Sequence, residues 1–314
     1  MTNAPGAPSE RASSGLFSRP YLILTLTSMF WGGNVVASKL AVGHVDPYAL
    51  MILRWVGAVL LILPFALGAL RRDWPVIRPR WWLYLFYGFT GFATFNALLY
   101  FAAHHTSGVN MALEQVAVNI FVLALNFALF RTRVKALQLV GIAITIIGVA
   151  LIASRGDLGR LAALQVNIGD LMVVGASLSY AIYTITNRFK PKTHWLSFFV
   201  AAGIGGAVGS LFYLTVSSEG LTALPAIIGA IDTQGWLVVL YTILFPSIGS
   251  QILFVRGIEL IGANRASLFV NLIPLFGAVF SVLILGESLE TYHLIAAALV
   301  AIGIVMAELV ARRA

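Results

Sequence analysis

The chain has 314 residues, 60% hydrophobic and 10% charged, with a mean hydropathy of +0.92, whereas a soluble chain is about a quarter charged. A soluble globule is excluded, and the absence of cysteine excludes disulfides, thiolate metal sites and cysteine nucleophiles. The formal charge of +8 comes from basic residues scattered between apolar runs, which points to membrane orientation rather than nucleic acid.

Residues 1–20, rich in Ser, Pro, Gly and Ala, read as a disordered cytoplasmic tail. No short apolar core followed by a small-residue cleavage site precedes the first long apolar run, so that run reads as a retained helix. About 20 apolar residues cross the roughly 30 Å hydrocarbon core. Apolar windows bounded by charges or turn residues predict ten spans, over 21–42, 48–70, 81–103, 107–130, 134–154, 167–187, 195–216, 235–257, 262–285 and 290–310. With the N-terminus inside, the inner segments hold Arg11, Arg19, Arg71, Arg72, Arg78, Arg80, Arg131, Arg133, Lys135, Arg188, Lys190, Lys192, Arg256, Arg265, Arg312 and Arg313, sixteen of the 20 basic residues. Lys39, Arg155 and Arg160 fall outside and Arg54 falls within the second span. Basic residues concentrate on the cytoplasmic side, so a multi-pass protein of a bacterial-type inner membrane is expected, with both termini cytoplasmic.

The two halves match without a gap at an offset of 155 residues: Trp81 meets Trp236, Asn96 meets Gln251, Gly148 meets Gly303, and 106–113 (TSGVNMAL) meets 261–268 (IGANRASL). The first and sixth spans match at an offset of 149, with 28–31 (SMFW) over 177–180 (SLSY), Asn34 over Tyr183 and Lys39 over Arg188. The repeat unit is therefore five helices, over 21–155 and 167–310. Five is odd, so the second copy enters the bilayer from the opposite face. The expected fold is an all-α integral membrane protein of ten transmembrane helices built from two inverted five-helix repeats, with a site between the halves near the midplane.

The residues Trp31, Gly32, Gly33, Asn34 and Lys39, Arg54 early in the second span, 271–274 (NLIP), Gly286 with Glu287, and Gly303 stand in an order that resembles the ten-helix EamA-type branch of the drug/metabolite transporter superfamily. The resemblance covers about 21–310. The first copy departs from it, because Pro274 is matched by Asn119, and Gly286 and Glu287 by Arg131 and Thr132. Within that branch, 183–188 (YTITNR) and 103–105 (AHH) are similar to bacterial exporters of aromatic and other apolar amino acids, which implies export of such substrates.

Seven residues are candidate substrate contacts: Trp31, Asn34, Asn96, Glu114, Tyr180, Tyr183 and Gln251. Trp31 with Asn34, and Tyr180 with Tyr183, share a helix face through their i, i+3 spacing. Their rings offer stacking surface and polar tips, against the plainer reading of an interfacial belt. Asn96 and Gln251 are matched amides that need hydrogen-bond partners in substrate or in neighbouring helices. Glu114 lies about seven residues into its span, roughly 10 Å deep at 1.5 Å per residue, where a carboxylate reads either as a coupling or substrate-anchoring group or as a structural ion pair with Arg54 or Lys39. Pro246 and Pro274 are expected to kink their helices. Gly32, Gly33 and the pair Gly205 and Gly209 read as packing positions, and Glu287 and Glu290 as solvated. The membrane acids reduce to Glu114 with terminal Asp170 and Glu308; no metal set, cofactor motif or nucleophile–base constellation occurs, which sets an intramembrane enzyme behind a transporter. The expected function is export of small metabolites, most of all aromatic and other apolar amino acids, by alternating access. Amphipathic drugs or other small metabolites are the alternative cargo. No cofactor, nucleic acid or obligatory protein partner is expected, only substrate and the lipid bilayer.

Overall fold

The computed structural model describes residues 16–131, 136–157 and 167–311, without the side chains of 16, 264, 304 and 307–311. Most of the tail expected over 1–20, and Arg11, Arg133, Lys135, Arg160, Arg312 and Arg313 of the charge reading, lie outside the described residues. The described residues form ten long helical rods, a short helix over Leu224–Gly229 between the seventh and eighth, and no strand, as expected where lipid leaves backbone groups no outside partner. They are α1 (Pro20–Ala41), α2 (Pro47–Ile77), α3 (Trp81–Tyr87, then a π-helix over Gly88–Thr94, then Phe95–Ala102), α4 in two pieces (α4a, Gly108–Glu114; α4b, Ala117–Phe130), α5 (Ala136–Ala153), α6 (Ile168–Thr186), α7 (Trp195–Val216), α8 (Thr233–Thr242, a π-helix over Ile243–Gly249, then Ser250–Ile261), α9 in two pieces (α9a, Ala263–Val270; α9b, Ile273–Leu285) and α10 (Thr291–Ala311).

Three features correct the expected elements. The helix placed over 48–70 runs on to Ile77, because the charges of Arg71 and Arg72 mark the bilayer edge without breaking a helix. The spans over 107–130 and 262–285 are each broken, at 115–116 and at 271–272. Pro274 therefore does not kink a continuous helix: it sits in the first turn of α9b, where its missing N–H is one that no helical carbonyl needs. The first copy breaks at nearly the matched place with Asn119 in the proline's stead. Likewise Arg131 ends α4b in the left-handed conformation (φ 50°) that Gly286 adopts at the end of α9b (φ 69°), although only glycine does so without steric cost. The shared geometry has outlasted the divergence in residue type.

The two π-helices occupy matched positions, Gly88–Thr94 and Ile243–Gly249. Each carries a hydroxyl that donates to a carbonyl five residues back, Thr94 to Phe89 at 2.9 Å and Ser247 to Thr242 at 2.8 Å. Pro246, expected to kink α8, lies inside the second one, where it supplies no N–H.

Packing obeys the same pseudo-symmetry. α1 packs on α8 and α9b while α6 packs on α3 and α4; α2 packs on α7, and α5 on α10. Glycines set the closest crossings. A Cβ at Gly32 of α1 would stand 2.8 Å from the Gly277 nitrogen of α9b, and one at Gly88 would overlap the Ala202 carbonyl and the Gly206 nitrogen of α7. The symmetry fails at one end. All seven residues of α4a are buried and the piece packs on α9b, whereas of α4b only Ala117 is buried and α4b meets α9a through little more than Asn119 and Asn271. The end bearing Lys39, His105 and Glu287, outer on the charge reading, is closed and the other is parted.

Gly88→Ala is expected to destabilise the protein by about 1–3 kcal/mol through overpacking, read as a lower midpoint of thermal unfolding in detergent. Gly68→Ala, which meets nothing within 4 Å, is expected to leave the midpoint unchanged or raise it. Equal effects at both positions would refute the close crossing of α3 and α7.

Candidate functional site

Arg54, on α2 and 5% exposed, is the centre at which the halves meet. Its Nε donates to the Ser247 hydroxyl of α8 at 2.8 Å. Its Nη1 faces Asn34 Oδ1 of α1 at 2.8 Å, and Asn96 Oδ1 and the Tyr100 hydroxyl of α3 at 2.9 and 2.6 Å. The guanidinium carbon stands 5.2 Å from the ring centroid of Trp55. Every partner is neutral. Among the described residues no carboxylate pairs with Arg54, and Nη2 has no acceptor. A fork whose second edge is unused fits a carboxylate ligand.

Local structure places these acceptors. Asn96 follows the first π-helix and donates its amide to the Phe92 carbonyl at 2.6 Å, which turns its oxygen toward Arg54. Ser247 sits in the second π-helix, giving its proton to Thr242 and accepting from Arg54. The irregular turns thus supply the site, as π-turns frequently do.

An aromatic wall continues from the guanidinium. Trp55 stacks on Phe92 at 4.2 Å, Phe92 meets Tyr183 at 5.8 Å, Tyr183 meets Tyr180 at 5.3 Å, and Tyr180 meets Phe95 at 5.1 Å. Tyr180 and Tyr183 are half-buried, and the Tyr180 hydroxyl has no partner among the described residues. Gln251, half-buried, lies four residues after Ser247 and so on the same face of α8; its amide also has no partner among the described residues. Trp31 stands one turn from Asn34, with its indole N–H bonded to the Pro246 carbonyl at 3.1 Å and its ring against Phe254 at 5.3 Å. Asn34, Asn96, Tyr180, Tyr183, Gln251 and Trp31 thus border the region of Arg54, though Trp31 has its polar atom engaged and Asn96 and Asn34 hold the arginine.

The expected ion pair is not formed. Glu114 is fully buried, yet neither of its oxygens has a hydrogen-bond partner, because Arg54 turns to the α1, α3 and α8 acceptors instead. Lys39 does not reach Glu114 either: its Nζ donates to the carbonyls of Ala103 and Thr106 at 2.8 and 2.9 Å, satisfying the end of α3. Glu287, read from the sequence as solvated, accepts from the Gly108 and Val109 N–H groups at 2.8 and 2.9 Å, so the second half caps the first half's α4a. Sequence reasoning left Ser247 and Tyr100 out of the site. The signal available was depth: Arg54, Asn34, Asn96 and Tyr100 all lie within about two turns of the same end of their helices, and a lone intramembrane arginine needs several acceptors at that level.

Two stretches, residues 18–154 and 167–309, match the EamA-like transporter family. The chain belongs to the EamA-like transporter family. Relatives span its whole length. The uncharacterized transporter YyaM of Bacillus subtilis (strain 168) is 27% identical over 296 residues, covering 93% of this chain and 94% of the relative. The uncharacterized transporter YetK of the same organism is 23% identical over 287 residues, covering 90% and 85%. A solved crystal structure shares the fold, with a TM-score of 0.60 and 17% identity over 94% of this chain and 98% of that one. This EamA-like chain is a multi-pass membrane transporter of small molecules and not an enzyme.

For this family member, Lys39→Met is expected to lower thermal stability by about 1.5–3 kcal/mol, the worth of hydrogen bonds from a charged donor. The substrate concentration dependence of transport is expected to stay as in the parent. A changed KM at unchanged stability would return Lys39 to the site.

Proposed function

We propose that the transporter exports small carboxylates with apolar bodies, foremost aromatic and other apolar amino acids, by alternating access between the two five-helix halves. It would act in a bacterial inner membrane with both termini cytoplasmic. The observation that carries this reading is the buried guanidinium of Arg54, with no carboxylate beside it and Nη2 free, at the head of an aromatic wall. The carboxylate of an amino acid completes the guanidinium fork; its side chain lies along Phe92, Tyr180 and Tyr183; and the Gln251 amide and Tyr180 hydroxyl offer acceptors for its ammonium group. The closed outer end and parted inner end leave the site approachable from the cytoplasmic side, which suits loading for export. Amphipathic cationic drugs, the alternative cargo, suit a fixed positive charge less well, since like charges repel in a low-dielectric site.

Counterflow into proteoliposomes loaded with phenylalanine tests this. Labelled phenylalanine is expected to exchange, and phenethylamine, which lacks the carboxylate, is not. Equal rates for both would refute the carboxylate reading. Arg54→Lys keeps the charge but loses the fork and is expected to weaken exchange about tenfold or more, a difference of roughly 1.4 kcal/mol. Tyr180→Ala is expected to weaken exchange of phenylalanine more than that of alanine, because lost stacking area scales with the cargo. A uniform loss with falling detergent stability would make Tyr180 a core residue instead.

A further inference from the structure

Beneath the closed outer end lies a second polar cluster that the Arg54 site does not use. Glu114, the last residue of α4a, is 0% exposed, and Asp170, in the first turn of α6, is 1% exposed. Asp170 accepts from the Thr106 hydroxyl through Oδ1, while its Oδ2 and both Glu114 oxygens have no partner among the described residues. Asp170 is the charged neighbour whose field reaches Glu114.

The other ionisable groups around α4a are otherwise engaged or lie farther out. Arg155, beyond α5, acts on Asp170 and Tyr292 without forming an ion pair with either acid. From α10, His293 Nε2 bonds Asn110 Oδ1 at 2.9 Å and its Nδ1 accepts from the Glu290 N–H, while Tyr292 lies within reach of both acids. Lys39 of α1 is held by two carbonyls and Glu287 by two N–H groups, and His104 and His105 at the end of α3 are exposed. α9b carries no ionisable residue. Three buried carboxylate oxygens without a donor are not stable as two adjacent charges, and no cation lies within pairing distance among the described residues. The described His, Asp and Glu side chains do not converge in the number a metal ion needs. A proton on either acid removes one of the two charges with no further ligand.

We propose that Glu114 and Asp170 form a proton-binding site built into the outer closure, which takes up a proton from the outer side when that end opens and shuts only with the proton in place. Contacts that cross between the halves at this end converge on it. Thr106 of the α3–α4 turn joins Asp170, Asn110 of α4a joins His293, and Glu287 holds the start of α4a, whose other end is Glu114. Closure buries both acids together, so closing binds the proton and opening to a less acidic medium releases it, a linkage that gives transport a pH dependence. This rests on the alternating-access reading but on no particular substrate.

The sign of the effect is diagnostic. His44 and Asp232, 2.7 Å apart, form an exposed latch across the same end. The Gly235 N–H and then His44 hold the Asp232 carboxyl below its usual range. That latch contributes above the usual carboxylate range and is lost as pH falls through the lowered value, so its carboxylate opens the outer end only in acid below that range and stays ionised across the range tested below. Protonation of Glu114 and Asp170 makes acid close it.

The chain has no native cysteine, so single cysteines report accessibility directly. Ala103→Cys, at a buried position of the outer end, and His105→Cys, at an exposed one, are reacted with a bulky maleimide in nanodiscs across about pH 5.5–8.5, and the ratio of the two rates cancels the reagent's own pH dependence. The ratio is expected to fall severalfold toward acid in the parent background, to be low and flat in Glu114→Gln, to be flat in Asp170→Asn, and to keep the parent profile in His293→Gln. A flat profile in the parent background, a ratio that rises toward acid, or an unchanged profile in both carboxylate variants overturns the proposal. Should Glu114→Gln fail to fold, the parent profile and Asp170→Asn decide. A flat profile in protein that still exchanges phenylalanine refutes the proton site alone, and loss of carboxylate selectivity with an intact profile refutes the substrate reading alone.

Discussion

A guanidinium buried in a bilayer sets the terms for the rest of this molecule. A guanidinium is a fixed cation, so its charge must be met by acceptors or by a ligand, and the chain supplies four neutral acceptors from α1, α3 and α8. Three helices of the first half and one of the second are drawn to one point. Asn96 follows one π-helix and Ser247 lies in the other, and each gives its own proton to a carbonyl of the preceding turn and keeps its oxygen for the arginine. The neutral acceptors meet Nε and Nη1 without cancelling the charge and leave Nη2 unmet, which on the proposed reading is the place of an anionic head group.

The scaffold is symmetric while its chemistry is not. At the offset of 155, Arg54 is matched by Gly209 of α7, where a Cβ would stand 2.7 Å from the Ala93 Cβ of α3. Glycines let α7 lie close along α3, whereas the long side chain of Arg54 on α2 reaches across to Ser247 of α8. The same division separates the two polar clusters: Arg54 faces the aromatic wall between the halves, and Glu114 with Asp170 sits behind α4a, sealed by α6 and α10.

Separation of charge explains why Glu114 and Arg54 do not pair although their depths match. Depth along a helix says nothing of azimuth, and α4a turns Glu114 toward α6 while Arg54 points to α1, α3 and α8. An ion pair between them would use up the cation that the proposed carboxylate substrate needs; on the readings proposed above, the separation leaves the cation for cargo and the carboxylate for a proton.

The ten helices, the five-helix repeat and the inverted arrangement follow from one-dimensional information: the length of apolar runs against bilayer thickness, the side on which basic residues collect, and identity at a fixed offset. The candidate residues Asn34, Asn96, Tyr180, Tyr183 and Gln251 were legible for the same reason, since their spacing shares a helix face and their polarity is costly in lipid. What the sequence did not contain was rotation and irregularity. The breaks at 115–116 and 271–272, the π-helices that aim Asn96 and Ser247, and the capping of α4a by Glu287 from the other half all depend on which helix lies against which. An orphaned backbone group or a buried charge takes its partner from whatever packing brings within about 3 Å, and only the folded arrangement of both halves decides that.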